Sequence, residues 1–215
     1  MIDGVEVAME NCTIVGNTAS QLGGGLWLLN AVVRSTLISS NRCDGLGGGG
    51  MYLQGLATKT KVENCSIVRN FAADDWRGAG VYVANGVTVN FLNTIIDLNY
   101  QGDWKRDGLG VHLQGTTSSV TLENCSLQRQ TGDYATAYIS MNADCLYQVD
   151  NRFVDAAKGD FQLQSDSPCI NHGINKTWMN TALDLADKPR KDRISGLVDI
   201  GAYEFTWAGL TIVVR

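Results

Sequence analysis

An all-β fold is predicted, a right-handed single-stranded parallel β-helix of about five or more rungs with an irregular C-terminal cap, and three observations predict it. A strand that opens on glycine recurs as Gly23-Gly24-Gly25-Leu26-Trp27-Leu28, Gly47-Gly48-Gly49-Gly50-Met51-Tyr52-Leu53, Gly78-Ala79-Gly80-Val81-Tyr82-Val83 and Gly108-Leu109-Gly110-Val111-His112-Leu113. Tyr134-Ala135-Thr136-Ala137-Tyr138-Ile139 is a weaker fifth copy. A second landmark recurs as Glu10-Asn11-Cys12-Thr13-Ile14, Arg34-Ser35-Thr36-Leu37-Ile38, Glu63-Asn64-Cys65-Ser66-Ile67, Leu92-Asn93-Thr94-Ile95-Ile96 and Glu123-Asn124-Cys125-Ser126-Leu127. Both return every roughly 24 to 31 residues, a solenoid period. Each period holds three short alternating runs rich in Val, Ile and Thr, and lacks the helical segment and Leu-x-x-Leu-x-Leu run of a leucine-rich repeat.

In such a coil, equivalent residues stack about 4.8 Å apart. Alternation in the glycine-led strand turns its flanking aliphatics inward and sends Trp27, Tyr52, Tyr82, His112 and Tyr138 outward as a ladder of rings. Met9, Val33, Val62, Phe91 and Leu122 form an inward column, preceded at strand spacing by Val7, Ala31, Thr60, Val89 and Val120. Asn11, Ser35, Asn64, Asn93 and Asn124 fall where inward parity shifts, so they are expected at a bend, with stacked amides bonding along the axis. A further amide column follows at Asn17, Asn41, Asn70, Asn99 and Gln130. Glu10, Arg34 and Glu63 alternate in sign along an outward column, which pairs opposite charges on neighbouring rungs.

Cys12, Cys65 and Cys125 share a column with Thr36 and Thr94 between them, which places them two rungs apart and beyond disulfide reach. They are expected as buried core thiols. Cys43, Cys145 and Cys169 fall outside that column, and none of the cysteines shows zinc-finger spacing.

The rungs fill residues 1–139; residues 140–205 form final rungs and a C-terminal cap, and 206–215 a tail. The repeat is already under way at Val5, so the first rungs are expected upstream of Met1. Met1-Ile2-Asp3-Gly4 lacks the regions of a signal peptide, and no apolar run reaches the ~20 residues that cross a bilayer. A formal net charge of −5 argues against a nucleic-acid partner held by phosphate contacts. The 24 glycines beside two prolines suit tight turns between short strands.

Gly159-Asp160-Phe161-Gln162-Leu163, then Ser167-Pro168-Cys169-Ile170-Asn171-His172-Gly173, Pro189-Arg190 and Val198-Asp199-Ile200-Gly201-Ala202-Tyr203-Glu204-Phe205 resemble the C-terminal end of bacterial choice-of-anchor Q domain proteins, which are pectin-lyase-like right-handed β-helices. The Asn-Cys-Thr and Gly-Gly-Gly rungs fit the same group. The pattern departs at Asn171, where the family has Asp, which removes support for an acid role there. The resemblance implies a secreted or cell-surface bacterial protein and no particular activity.

Three readings of function follow. Trp and Tyr faces suit sugar rings, and a row of them tracks a chain; with Trp76 and Trp104 from the Asp-Trp-Arg and Asp-Trp-Lys loops beside it, the ladder reads as a binding site for a polysaccharide or other surface ligand. The bland alternative is that these rings only shield strands. A polysaccharide-degrading enzyme is the second reading. Asp74, Asp75, Asp103 and Asp107 are candidate glycosidase carboxyls, and His112, Arg77, Lys105 and Arg106 candidate base and charge-neutralising groups of a lyase. Against both, Asp is common in solvated turns. The third is a non-catalytic adhesin or structural stalk. No cofactor is called for; calcium is the one candidate ion, at the Asp-rich loops, although no Asp-x-Asp-x-Asp array is present.

Overall fold

The structure, a computed structural model, describes residues 7–55, 59–73, 78–102, 106–107, 110–128 and 138–207, with the backbone alone of Lys59, Arg106 and Asp107. Its short strands stack into four walls. The first wall is six parallel strands, Val7–Glu10, Ala31–Arg34, Lys59–Glu63, Thr88–Leu92, Ser119–Glu123 and Ile139–Met141. The second is also six, Thr13–Val15, Leu37–Ser39, Ser66–Val68, Ile95–Asp97, Ser126–Leu127 and Leu146–Tyr147. Thr18–Ala19, Arg42–Cys43, Phe71–Ala72 and Tyr100–Gln101 make the third, with Arg106–Asp107 antiparallel on its edge. The glycine-led strands Leu26–Leu28, Met51–Leu53, Val81–Val83 and Val111–Leu113 make the fourth. The chain is therefore an all-β parallel β-helix.

The corners explain the polar columns. Asn11, Ser35, Asn64, Asn93 and Asn124 turn the chain from first to second wall with φ of 53°, 45°, 49°, 48° and 46°. This is the left-handed region, where asparagine is the least strained residue after glycine. Gly16, Ser40, Arg69 and Leu98 make the next corner in the same conformation. Just past it the amides stack: Asn17 Nδ2 donates to Asn41 Oδ1, Asn41 to Asn70 and Asn70 to Asn99, each at 3.0 Å, and Asn99 donates to Gln128 Oε1 at 3.2 Å. The continuous amide ladder is thus this second column and not the Asn11 column. Gln128 is its last member among the described residues, and Gln130, expected there, lies outside them.

Inside the coil, Val33, Val62, Phe91 and Leu122 from the first wall pack with Ile38, Ile67, Ile96 and Leu127 from the second and Met51, Leu53, Val81, Val83 and Val111 from the fourth. Burying each such side chain contributes about 1.5 to 3 kcal/mol. The Cys/Thr column lines this core and extends to Cys145, which the repeat alignment had placed outside it. Cys12 N and Cys65 N donate to Thr36 and Thr94 Oγ1, and Cys125 N to Cys145 Sγ, all at 3.4 Å. The other expected column of charge also forms: Arg34 bonds Glu10 at 3.0 Å and Glu63 at 2.6 Å.

The segment after the coil does not sit only over its end, where a cap was expected; it runs back along the side as a clasp. A hairpin of Phe153–Asp155 and Asp160–Leu163 begins it. Phe161, Leu163, Cys169 and Ile200 then pack on Leu37, Val68 and Ile95, outward residues of the second wall. That wall is apolar on both faces, which accounts for its doubled aliphatics Leu37-Ile38 and Ile95-Ile96. The Asn corner is the polar half of the seam. Asn93 Nδ2 donates to the Ile174 carbonyl at 2.9 Å while Ile174 N donates to Asn93 Oδ1 at 2.8 Å, and Asn124 Nδ2 donates to the His172 carbonyl at 2.8 Å.

Among the described residues no helix is long and apolar enough to cross a membrane.

Candidate functional site

The ring column forms on the fourth wall because its strands pair in register: Trp27 lies opposite Tyr52, Tyr52 opposite Tyr82, and Tyr82 opposite His112. Tyr52 and Tyr82 stack at 4.9 Å between centroids with 6° between planes, and Tyr82 and His112 at 4.9 Å and 22°. The column points away from the core, yet most of it is covered. Tyr52 and Tyr82 are 7% and 5% exposed and Leu22 packs against them, whereas Trp27 is 55% exposed. The Trp27 indole N–H donates to Gln54 Oε1 at 3.1 Å, which holds the ring beside the neighbouring turn and leaves the Gln54 amide at the surface. An open indole face with an amide at its edge can cover a sugar ring and bond its hydroxyls.

Tyr138, expected as the fifth rung of the ladder, stands elsewhere. It directly precedes Ile139, which pairs with Val120 in the first wall. The stretch from Leu127 to Ile139 is half as long as that from Ile96 to Val120, so the repeat is cut short where the alignment placed its last ring. Of the loop candidates, Asp74, Asp75, Arg77, Asp103 and Lys105, with Trp76 and Trp104, lie outside the described residues, and Arg106 and Asp107 are described in backbone only.

A second outward stack escaped the sequence reading. On the third wall the Arg42 guanidinium lies 4.4 Å over the Phe71 ring, and Phe71 meets Tyr100 at 5.9 Å. These residues precede the inserted loops, which differ in length and hide the register when the chain is aligned on glycines.

A cleft of about 360 Å³ opens in the clasp. Pro189, Ile194, Phe205 and Trp207 give its apolar lining, Lys188, Lys191 and Arg193 bring positive charge, and Asp192 and Glu204 also line it. Phe205 and Trp207 pack edge to face at 5.1 Å. Lys188 Nζ is drawn to the Glu204 carbonyl and Lys191 Nζ to Asn180 Oδ1, at 3.2 and 3.3 Å. The arrangement can stack a flat ring and neutralise an anionic group on it. The sequence cue was the basic run from Lys188 to Arg193 in an acidic chain.

Beneath the cleft lies a cluster of perturbed titratable groups, and its chemistry is structural. Arg190 is wholly buried and all five of its N–H groups are engaged: Nε with Ser35 Oγ, Nη1 with Glu204 Oε1 and the Gly201 carbonyl, and Nη2 with the Asn64 and Ala202 carbonyls, at 2.8 to 3.3 Å. Burial pushes the Glu204 carboxyl up against the pull of Arg190, and pushes Asp199 up to about 6 although Asn171 N and Phe205 N donate to it. The distinctive Asp199-to-Glu204 segment is therefore the pin that fastens the clasp, and both carboxyls are sealed from substrate.

Among the described residues no three His, Cys, Asp or Glu side chains gather as a metal site. The Asp-rich loops named for calcium fall largely outside those residues.

The stacked walls and repeating columns define the class, a β-solenoid. The family model for the right handed beta helix region matches residues 1–153, and the chain belongs to that family. No curated protein and no solved structure matches it.

Proposed function

We propose that the protein is a secreted or cell-surface β-helix of the choice-of-anchor Q kind that binds carbohydrate at the exposed end of its ring column. The observation that carries this reading is Trp27: an indole more than half exposed, its N–H held by Gln54, at the end of a register that aligns three further rings. Stacking on one tryptophan gives weak, chain-tolerant contact, which suits a rigid solenoid that meets a polymer repeatedly. Tyr52 and Tyr82 stiffen the wall behind it and do not meet ligand. The clasp cleft adds a cationic patch for acidic polymers.

Retention on affinity gels of neutral and uronate-rich polysaccharides tests the reading, with wild type and Trp27→Ala compared. Trp27→Ala is expected to lose most of its retardation while its melting temperature stays within about 2 °C of wild type. Equal retardation of the two proteins removes Trp27 from binding. Release of reducing ends or of an unsaturated product from the same polymers would replace the binding reading with a glycoside hydrolase or a lyase.

A further inference from the structure

We propose that Cys125 and Cys145 are a modification site, a dithiol that closes to a disulfide across the last two turns of the coil when the protein meets a small-molecule disulfide.

The geometry comes from register. Ser126 pairs with Leu146 and Leu127 with Tyr147, which sets Cys125 beside Cys145 at the heads of adjacent parallel strands. Strand spacing makes their Cα separation about 4.8 Å, within the range that disulfides span. Cys125 N already donates to Cys145 Sγ at 3.4 Å. Elsewhere in the column a threonine separates each cysteine from the next, so among the described residues this is the one place in it where thiols occupy neighbouring turns. All six cysteines are free in this structure.

The two thiols are also unlike each other. Cys43, Cys65, Cys125 and Cys169 are buried, whereas Cys145 is partly exposed, next to the strand that is outermost in its sheet among the described residues. The approach needed to close the bridge, about 1 Å between the two Cβ atoms, therefore falls on an edge that can yield. Burial holds Cys65 and Cys169 up at about 12 and Cys125 well above its ordinary value, while the hydrogen bond with Cys125 draws Cys145 down to about 7. Cys145 is the thiol that presents a thiolate near neutral pH.

The chemistry balances with a low-molecular-weight disulfide such as oxidised glutathione as oxidant. The Cys145 thiolate attacks one sulfur, the S–S bond breaks, and one thiolate leaves. Cys125 then gives up its proton and attacks Cys145 Sγ in the mixed disulfide, expelling the second thiolate. Two protein thiols become one disulfide, and the small disulfide becomes two thiols. The bridge staples the last turn among the described residues to the turn before it.

The full chain is incubated with oxidised glutathione at pH 7.5, digested without reductant and read by mass spectrometry. Wild type is expected to yield a peptide pair joined through Cys125 and Cys145 and a melting midpoint raised by about 5 °C, reversed by dithiothreitol. Cys125→Thr is expected to stop at a glutathione adduct on Cys145, and Cys145→Thr to remain unmodified at Cys125. Threonine is the residue this column carries at Thr36 and Thr94, so both variants keep the packing. Circular dichroism and the melting curve establish that each variant is folded before it is read. Folded wild type that stays reduced, stops at the adduct, or joins another pair overturns the proposal.

Discussion

Gly50 and Asn70 stand back to back: a Cβ at Gly50 would lie 2.9 Å from Asn70 Nδ2 and 2.6 Å from the Gly80 carbonyl oxygen. The same meeting recurs between Gly25 and Asn41 and between Gly80 and Asn99. Glycine runs and amides are thus two sides of one contact, since the ladder occupies the space a side chain would need. Asn70→Ala leaves the Asn41 N–H and the Ile38 carbonyl without that partner in the core. The expected loss is about 3 to 5 kcal/mol in urea unfolding. A loss under about 1 kcal/mol would mean that the ladder is ornamental.

Tyr82 and Trp27 share a column but should part company on mutation. Tyr82 is stacked on both sides and sealed, so Tyr82→Ala should cost about 3 kcal/mol or more. Trp27→Ala should cost about 1 kcal/mol or less, measured in the same denaturation series. Equal losses would place Trp27 in the structural framework and undercut its role in binding.

Removing Arg190 strands buried acceptors and leaves the Glu204 carboxyl without its donor. Arg190→Ala takes the partner from Glu204 and releases the carbonyls of Asn64, Gly201 and Ala202. A loss of about 3 to 5 kcal/mol is expected, with the clasp opening first. Because Trp178 packs against Arg34 at 4.7 Å, its fluorescence should report that opening ahead of the far-ultraviolet circular dichroism of the coil. Coincident transitions would show clasp and coil to be one cooperative unit.

The pH dependence runs opposite to that of an ordinary surface-paired acid. Asp199 titrates near 4 unfolded but at about 6 folded, so between these values the folded state holds the extra proton. Stability therefore falls as pH rises through this window, by roughly 3 kcal/mol for the full shift, and the raised Glu204 extends the decline upward. Asp155 and Asp192, whose carboxyls are held low by hydrogen bonds, act with the opposite sign below this window. Urea midpoints should drop between pH 4.5 and 6.5, and Asp199→Asn should lessen that slope without abolishing it, because the raised Glu204 contributes over the same window. A midpoint that climbs through the window contradicts the assignment.

How much was legible in the residues depends on whether a feature is carried by its own rung. The Glu10, Arg34 and Glu63 alternation, the inward Val33, Val62, Phe91 and Leu122 column and the bend at Asn64 and Asn93 each repeat at matching offsets, and all were readable. Tyr138 was misplaced because the repeat shortens after Leu127, and counting from landmarks fails where a coil loses residues. Cys145 was missed for the same reason.

By itself, the sequence determined the parallel coil, because alternation and period admit no other way of burying those aliphatics. Which outward residues stay in water was decided only by tertiary structure. Leu37 and Ile95 vanish under the clasp and Tyr52 and Tyr82 under their neighbours, while Trp27 remains open, since exposure depends on what a distant part of the chain lays across each wall.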